Sequence, residues 1–226
     1  MKTELKKAAA KRSILIIDDH PVFRAGLSRT IHLEKDLTVC AEAADASEGL
    51  KKIEELDPEM AIIDLSMEGM NGIDLIKSIR ARWANIRLLV LSTHKESLYA
   101  ERSLKAGANG YIMKRENGEN LLMAIRTVLQ GRTYLSAEVN QSIIDKLTHP
   151  RGPHDDPESI LSERELETFR LIGQGLGSRQ IAEALHISMK TVEAHREHMR
   201  AKFDLESNYQ LVQKAIQWVH QQNHIV

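Results

Sequence analysis

The chain has 226 residues, in which 31 Lys and Arg are balanced by 32 Asp and Glu. A charge so close to neutral excludes a polycation, so any contact with nucleic acid must come from a local basic surface. Cys40 is the only cysteine, which excludes an internal disulfide, and as a small hydrophobe it is expected to be buried. The first residues lack the apolar core of a signal peptide, and no apolar stretch approaches the ~20 residues of a membrane span. We therefore expect a soluble, cytoplasmic protein without a membrane partner.

Short apolar runs alternate with amphipathic stretches over roughly the first 130 residues. Apolar runs bounded by turn residues are typical of strands that are buried on both faces of a parallel sheet. The predicted strands are residues 13–17, 37–42, 60–63, 87–91 and 110–113. The predicted helices between and after them are residues 21–33, 46–56, 72–82, 96–106 and 118–130. Because crossover connections are right-handed, this alternation predicts an α/β domain, a flavodoxin-like, doubly wound sheet of five parallel strands.

Four of the predicted strands are followed by a reactive polar side chain. Asp18 and Asp19 follow the first strand, Asp64 the third, Ser92 the fourth and Lys114 the fifth. Ligands of open α/β sheets bind beyond the carboxyl ends of the strands, so we expect these five side chains to share one cleft. Carboxylates are the ligands that Mg²⁺ prefers, and a hydroxyl and an ammonium group can bind phosphoryl oxygens. The sequence therefore predicts a magnesium and phosphoryl site.

The pattern changes after Gly131. Residues 136–147 are compatible with one more helix, and the stretch that follows is rich in Pro, Gly, His and Asp, as is typical of a linker. After it the sequence predicts only helices, at residues 163–173, 179–185, 189–202 and 208–221. The predicted divisions of the chain are an α/β domain over 12–131, a linker over 132–159 and a small all-α, four-helix domain over 160–226.

The motifs of the first domain resemble the receiver domains of two-component response regulators. The residues that carry the resemblance are Asp18-Asp19-His20-Pro21, Ile63-Asp64-Leu65-Ser66-Met67, Gly72, Leu91-Ser92 and Gly110-Tyr111-Ile112-Met113-Lys114. The resemblance implies that Asp64 is the phosphoacceptor, that Ser92 and Lys114 bind the phosphoryl group, and that Ser92 and Tyr111 form the conformational switch. The Mg²⁺ ligands that it implies are Asp18, Asp19, Asp64 and the backbone carbonyl of Ser66.

Three positions near these motifs are less clear from the sequence. The family usually carries proline directly after Met67, whereas this chain has Glu68. This change puts the rate and the donor preference of phosphorylation in question, since the nucleophile and the metal ligands are intact. Tyr111 has an alternative interpretation as a half-buried edge tyrosine. His94 lies two residues after Ser92 and is interpreted as a solvated loop residue. The less favoured alternative is that it influences hydrolysis of the acyl phosphate.

The C-terminal helices resemble the LuxR-type helix-turn-helix domain. The matching residues are Leu161-Ser162-Glu163-Arg164-Glu165, Gly175-Leu176, Ile181-Ala182, Leu185-His186-Ile187-Ser188 and Lys190-Thr191-Val192-Glu193-Ala194-His195. The helix over 189–202 would then enter the major groove of DNA. The expected DNA-binding residues are Lys190, Thr191, Glu193, Ala194, His195, Arg196, Glu197, Arg200 and Lys202. The alternative is a charged, solvated helix in a protein-binding bundle.

A receiver followed by a LuxR-type domain is the layout of the NarL/FixJ class of response regulators. It implies a transcription factor rather than an enzyme, switched when a sensor histidine kinase phosphorylates Asp64 in the presence of Mg²⁺. The implied partners are a double-stranded DNA operator and a second copy of the chain. The second copy is expected because the last predicted helix carries an apolar stripe larger than its small bundle needs, formed by Leu211, Val212, Ala215, Ile216 and Val219. Two alternatives stay open: a phosphorylation-independent DNA-binding regulator with a vestigial receiver, and a Mg²⁺-dependent phosphohydrolase. The phosphohydrolase would place its nucleophile after the first strand, with a second acid two residues on.

Overall fold

The structure is a computed structural model of the whole chain, and it describes residues 11–67, 70–94, 96–148 and 157–223. Glu68 and the linker residues 149–156 lie outside the described residues. The chain divides into two compact units, Met1–His149 and Pro150–Val226. None of the helices in the described ranges has both the length and the hydrophobicity that crossing a bilayer requires.

The first unit contains one parallel sheet with the strand order β2-β1-β3-β4-β5. Its strands are β1 (Arg12–Ile17), β2 (Leu37–Ala43), β3 (Met60–Ile63), β4 (Arg87–Ser92) and β5 (Gly110–Met113). The helices of this unit are α1 (Pro21–His32), α2 (Ala46–Leu56), α3 (Gly72–Arg82), α4 (Glu96–Ala106), α5 (Gly118–Leu129) and α6 (Ala137–Thr148). The order 2-1-3-4-5 is that of the flavodoxin-like fold, so the predicted fold class is confirmed.

Helices cover both faces of the sheet. Because successive side chains of a strand point to opposite sides, each strand has buried side chains on both faces. Ile14 and Ile16 of β1 pack with α1 and α5. Ile17 faces the opposite side, where it lies against Gly49 of α2, and α3 and α4 follow α2 on that face. For this reason the sequences of the strands are continuous apolar runs. The carboxyl ends of the strands lie together at one end of the sheet.

Two features of the sheet differ from the predictions. The register of β1 and β2 shifts between Ile14 and Leu15, which pair with Val39 and Ala41. Cys40 is therefore the extra residue of a β-bulge on an edge strand, and it is exposed. The prediction that Cys40 is buried is wrong, because the bulge turns this position away from the core.

The first unit also extends beyond residue 131. Tyr134 pairs with Gly110 next to β5, and its carbonyl accepts the backbone N–H of Tyr111 at 2.9 Å. The backbone N–H of Ser136 donates to the Glu96 carboxylate at 2.7 Å. These bonds attach the chain that leads into α6 to β5 and α4, so α6 belongs to the first unit although the sequence placed it in the linker.

The second unit is helical throughout its described residues. After the short helix α7 (Pro157–Ile160), which the sequence did not predict, it contains α8 (Glu163–Gly173), α9 (Ser178–Ala184), α10 (Met189–Lys202) and α11 (Asn208–Asn223). Phe169 of α8 is fully buried between Phe203 and Trp218, whose ring centroids lie 5.4 and 5.7 Å away. A Cβ at Gly173 would lie 2.4 Å from the Ala215 carbonyl oxygen, so this glycine lets α8 and α11 pack closely.

The apolar stripe that the sequence assigns to the last helix is partly used inside this bundle. Leu211 and Ala215 are fully buried, Val212 and Val219 are half-buried, and Ile216 is exposed. Most of the stripe therefore stabilises the domain itself, and only its edge remains for a partner.

Candidate functional site

The polar residues at the carboxyl edge of the sheet are positioned by the strands that precede them. The backbone N–H of Asp64 donates to Ile17 at 2.9 Å, and that of Lys114 donates to Ser92 at 2.8 Å. Strand pairing thereby continues one residue past β3 and β5. A Cβ at position 72 would lie 2.5 Å from the Asp64 carbonyl oxygen, so only glycine lets α3 begin this close to Asp64. The predicted convergence of polar side chains at the carboxyl edge is present.

Lys114 connects two buried carboxylates in this cleft. Its Nζ lies 2.7 Å from Asp18 Oδ2 and 2.8 Å from Asp64 Oδ2. Asp18 and Asp64 are only 2% and 1% exposed, and the ring of Phe23 lies 4.5 Å from the Lys114 ammonium. Burial raises the pKa of the Asp64 carboxyl, and Lys114 opposes this by stabilising the charged form. The two acids thus share one cation in buried surroundings.

A third acid and a histidine complete the cleft. Asp19 and His20 follow Asp18, and His20 Nδ1 lies 2.7 Å from Asp19 Oδ1. Asp18, Asp19, His20 and Asp64 each offer a ligand atom, and these atoms all lie within 4.8 Å of one another. Three carboxylates in so small a volume repel one another, and hard oxygen donors suit a small divalent cation. The three carboxylates of this set therefore fit Mg²⁺.

Ser92 and Tyr111 both contact the backbone of His94. Ser92 Oγ accepts the His94 N–H at 3.2 Å, and the Tyr111 hydroxyl donates to the His94 carbonyl at 2.9 Å. Both side chains are fully buried, so Tyr111 is not the half-buried edge residue of the alternative interpretation. Burial also raises the pKa of the Tyr111 hydroxyl, which keeps it a hydrogen-bond donor.

His94, interpreted from the sequence as a solvated loop residue, makes side-chain contacts that the sequence did not predict. Its Nε2 lies 3.1 Å from Ser66 Oγ, and its ring stacks on Tyr99 with centroids 4.5 Å apart. His94 thus joins the loop after Asp64 to the predicted switch pair, Ser92 and Tyr111. Only its spacing of two residues from Ser92 hinted at this place, and that spacing does not reveal where the ring points.

In the second unit, α10 begins and packs as a recognition helix would. Ser188 caps it by accepting the Thr191 N–H at 3.0 Å, and Val192 and Met199 are fully buried on its inner face. The exposed residues among those predicted to contact DNA are Lys190, Glu193, Ala194, Glu197 and Lys202. The half-buried residues of the same set are Thr191, His195, Arg196 and Arg200.

Three of the predicted DNA-binding residues are engaged within the domain. Lys202 Nζ lies 2.6 Å from Glu165 Oε2 and 3.3 Å from the Ile160 carbonyl oxygen. The Arg196 side chain is only 12% exposed. Burial lowers the pKa of the His195 imidazole below its ordinary value of 6.5, which disfavours the positively charged form of the ring. The cation best placed for a phosphate is Lys190 at the exposed start of α10.

Glu165 is expected to stabilise the second unit only while it is ionised. Burial alone would raise its pKa, but hydrogen bonds from Lys202 and Ser162 outweigh burial and lower it. A lowered pKa contributes stability that is present above the ordinary value and is lost as the pH falls through the folded value. Glu165→Gln should therefore cost about 1–3 kcal/mol at pH 7 and much less in acid.

Urea unfolding followed by Trp218 fluorescence in a Trp83→Phe background checks this, because Trp218 is then the only tryptophan left in the chain. Glu183→Gln on α9 is the matched control, since its pair with Arg179 is exposed. A cost that is the same at pH 7 and at pH 3.5 would contradict the charged hydrogen bonds.

Comparison with known families supports the architecture described above. The family described as "Response regulator receiver domain" matches residues 14–126, and "Bacterial regulatory proteins, luxR family" matches residues 159–215. The chain is a DNA-binding response regulator of the LuxR/NarL family. The predicted family is thus confirmed, and with it a transcription regulator rather than a phosphohydrolase.

Relatives of this response regulator match over nearly its full length. It is 39% identical to the oxygen regulatory protein NreC of Staphylococcus haemolyticus over 208 residues, which cover 90% of this chain and 96% of NreC. NreC of Staphylococcus aureus is 38% identical over 208 residues, with the same coverage.

Solved structures show the same fold. A LuxR-family response regulator from Aurantimonas sp. is 33% identical with a TM-score of 0.58, and the match covers 62% of this chain and 100% of that one. RcsB of Salmonella enterica serovar Typhimurium, solved on the rprA promoter with the phosphomimetic BeF3-, is 25% identical with a TM-score of 0.60. That match covers 91% of this chain and 98% of RcsB.

Proposed function

We propose that a sensor histidine kinase phosphorylates Asp64 in the presence of Mg²⁺ and that this phosphorylation switches DNA binding by the LuxR-type domain. The observation that carries the proposal is the buried contact of Lys114 with Asp64 and Asp18. It brings a cation and two buried carboxylates together at one edge of the sheet, which supports Asp64 as the nucleophile and Asp18 as a metal-binding acid. A receiver that had lost its function would not need three buried charges in one cleft.

Asp64 is the best placed of the three acids to act as nucleophile. It follows β3, which pairs with β1 on one side and with β4 on the other. A phosphoryl group on Asp64 therefore has the acids after β1 on one side and Ser92 at the end of β4 on the other. Asp18 and Asp19 lie on one side of this position and are suited to hold a cation.

The reaction transfers one phosphoryl group. An Asp64 carboxylate oxygen forms the bond to phosphorus while the bond between phosphorus and the kinase imidazole breaks. The departing imidazole takes one proton from solvent, so the products are an acyl phosphate on Asp64 and a neutral histidine on the kinase. Lys114 neutralises charge on a phosphoryl oxygen, and the Ser92 hydroxyl donates to another. Bound Mg²⁺ would offset the repulsion between the acids and the incoming group, with Asp18, Asp19, Asp64 and the Ser66 carbonyl as its ligands.

The switch begins with the hydroxyl of Ser92. In the structure its oxygen accepts the His94 N–H, and a phosphoryl group on Asp64 offers the hydroxyl hydrogen a stronger, charged acceptor. A shift of Ser92 toward the phosphoryl group disturbs the His94 backbone, to which the Tyr111 hydroxyl is also bonded. Because the Tyr111 N–H bonds the Tyr134 carbonyl, this change reaches the chain that leads into α6.

The output of the switch is operator binding by a homodimer. Tyr209 and Ile216 of α11 remain 68% and 39% exposed, and they provide apolar surface for a two-fold contact. Such a dimer would read an inverted repeat with half-sites about 10–10.5 bp apart. Because bacterial DNA lies in the cytoplasm, we also place the protein there.

The phosphorylation step is tested by incubating the full-length protein with a small-molecule phosphodonor and Mg²⁺. Intact mass should show one added phosphoryl group that is stable in acid and released by base, as for an acyl phosphate. EDTA should prevent its addition. No added mass, or a base-stable bond, would exclude the proposed aspartyl phosphate.

The DNA interface is tested by two substitutions on α10. Lys190→Ala should weaken specific and non-specific sites alike and lower the dependence of log affinity on log salt by about 0.9, which corresponds to one phosphate contact. Ala194→Arg should change the preferred sequence with little effect on non-specific binding. Lys77→Ala on α3 is the control for Lys190→Ala. If both α10 variants bind every site as the wild type does in gel shifts, α10 is not the recognition helix.

A further inference from the structure

His20 is fixed beside the acidic cleft by its backbone. Its N–H donates to Asp18 Oδ1 at 2.8 Å, and its carbonyl accepts the Arg24 N–H at 3.0 Å. Pro21 begins α1 directly after it, which restricts His20 to an extended backbone conformation. The His20 side chain makes no capping hydrogen bond to the helix, so the imidazole is not committed to holding α1.

The imidazole lies where a metal ligand would lie. His20 Nδ1 is 2.7 Å from Asp19 Oδ1, 3.3 Å from Asp18 Oδ1 and 3.7 Å from Asp64 Oδ2. Neighbouring ligands of an octahedral ion with bonds of ~2.1 Å are about 3 Å apart and opposite ones about 4.2 Å. The three distances fall within or close to this range, so one ion can be bound by the nitrogen and by carboxylate oxygens together.

We propose that His20 Nδ1 is a ligand of the divalent ion in this cleft, so that the site prefers a later transition ion such as Co²⁺ to Mg²⁺. The proposal rests on the metal site of the proposed function and adds a fourth protein side chain to it. Mg²⁺ binds oxygen ligands and gains little from imidazole, whereas imidazole favours the later first-row transition ions. The nitrogen therefore changes selectivity more than it changes Mg²⁺ affinity.

Pulsed electron paramagnetic resonance of Mn²⁺ bound to the full-length protein tests the ligand directly, because a coordinated imidazole adds a ¹⁴N modulation to the signal. We expect this modulation in the wild type, its loss in His20→Gln and its retention in His32→Gln, a matched change of an exposed histidine on α1. Absence of the modulation in the wild type, or its persistence in His20→Gln, would overturn the proposal.

Calorimetric titration with Co²⁺ and Mg²⁺ measures the selectivity. Loss of a residue that only orients a metal ligand lowers metal affinity about tenfold or more. Loss of a direct ligand in His20→Gln should therefore weaken Co²⁺ binding by at least about tenfold. Mg²⁺ affinity should change by less than about twofold. Equal losses for both ions, or a gain for both, would overturn the proposed selectivity.

Asp19→Asn separates this inference from the proposed function. It should weaken both ions, because it removes a carboxylate ligand whichever metal binds. If Asp19→Asn leaves both affinities unchanged, or if the wild type binds none of these ions, the metal site itself is misassigned. If Asp19→Asn behaves as expected and His20→Gln alters neither the modulation nor the selectivity, only the role of His20 is wrong.

Discussion

Asp64→Asn is expected to abolish phosphoryl transfer to this protein. The amide has nearly the shape of the carboxylate, so the packing at the end of β3 should persist, but an amide oxygen is not a nucleophile for phosphorus. Asp18 keeps its contact with Lys114. Intact mass after incubation with the phosphodonor and Mg²⁺ should show no phosphorylated species in the variant and a singly phosphorylated one in the wild type.

The control for Asp64→Asn is Asp74→Asn. Asp74 lies in the first turn of α3 and its side chain is 57% exposed, so its loss removes a carboxylate without touching the cleft. This variant should be phosphorylated like the wild type. Equal incorporation into wild type and Asp64→Asn would show that another residue accepts the phosphoryl group.

Lys114→Met has the second largest expected effect, and it acts on stability and on phosphorylation. The substitution leaves Asp18 and Asp64 side by side without the cation that they share. Removing one partner of a buried ion pair costs about 3–5 kcal/mol, so the first unit should unfold at a lower urea concentration. Loss of a group that stabilises developing charge should also slow phosphorylation about 10²–10³-fold.

Mg²⁺ separates these two effects of Lys114→Met. An ion that binds only the folded protein stabilises it, so Mg²⁺ should recover part of the lost stability but not the rate, because the metal does not replace Lys114 at the phosphoryl group. Lys105→Met on α4 is the control, since this lysine is 75% exposed and its ion pair with Glu101 lies outside the cleft. Wild-type phosphorylation kinetics in Lys114→Met would remove Lys114 from the proposed mechanism.

The sequence predicted the cleft well because its elements follow from local patterns. Apolar runs such as Ile14–Ile17 are short, lack helical periodicity and end on polar residues, so strand type and strand end could be recognised together. The carboxyl ends of parallel strands share one edge by geometry. For this reason Asp18, Asp64 and Lys114 could be placed in one cleft without coordinates.

Features that depend on side-chain direction or on distant pairing could not be predicted. The contact of His94 with Ser66 joins two loops that are 28 positions apart. The spacing of apolar residues in the sequence does not indicate such a contact. The bulge that exposes Cys40 arises from the register of β1 against β2. The pairing of Tyr134 with Gly110 needs an open edge of β5, which is known only once the strand order is known.

In the second unit the sequence did not predict which side chains contact the neighbouring helices. Lys202 has the spacing of an outward residue on α10, yet Glu165 of α8 binds it at 2.6 Å. The stripe on α11 omitted Trp218, which packs beside Phe169. A helical wheel gives the direction in which each side chain points. Whether a neighbouring helix contacts that side chain depends on the packing of the bundle.

The central claim is that phosphorylation of Asp64 controls DNA binding. It is tested most directly by measuring the affinity of the full-length protein for its operator with and without a phosphodonor and Mg²⁺, in wild type and in Asp64→Asn. Our account predicts that the phosphodonor strengthens wild-type binding by at least about tenfold, equivalent to 1.4 kcal/mol, and leaves Asp64→Asn unchanged. Equal affinity of the wild type in both conditions, with phosphorylation verified by mass, would contradict the account and favour a regulator whose DNA binding is independent of its receiver.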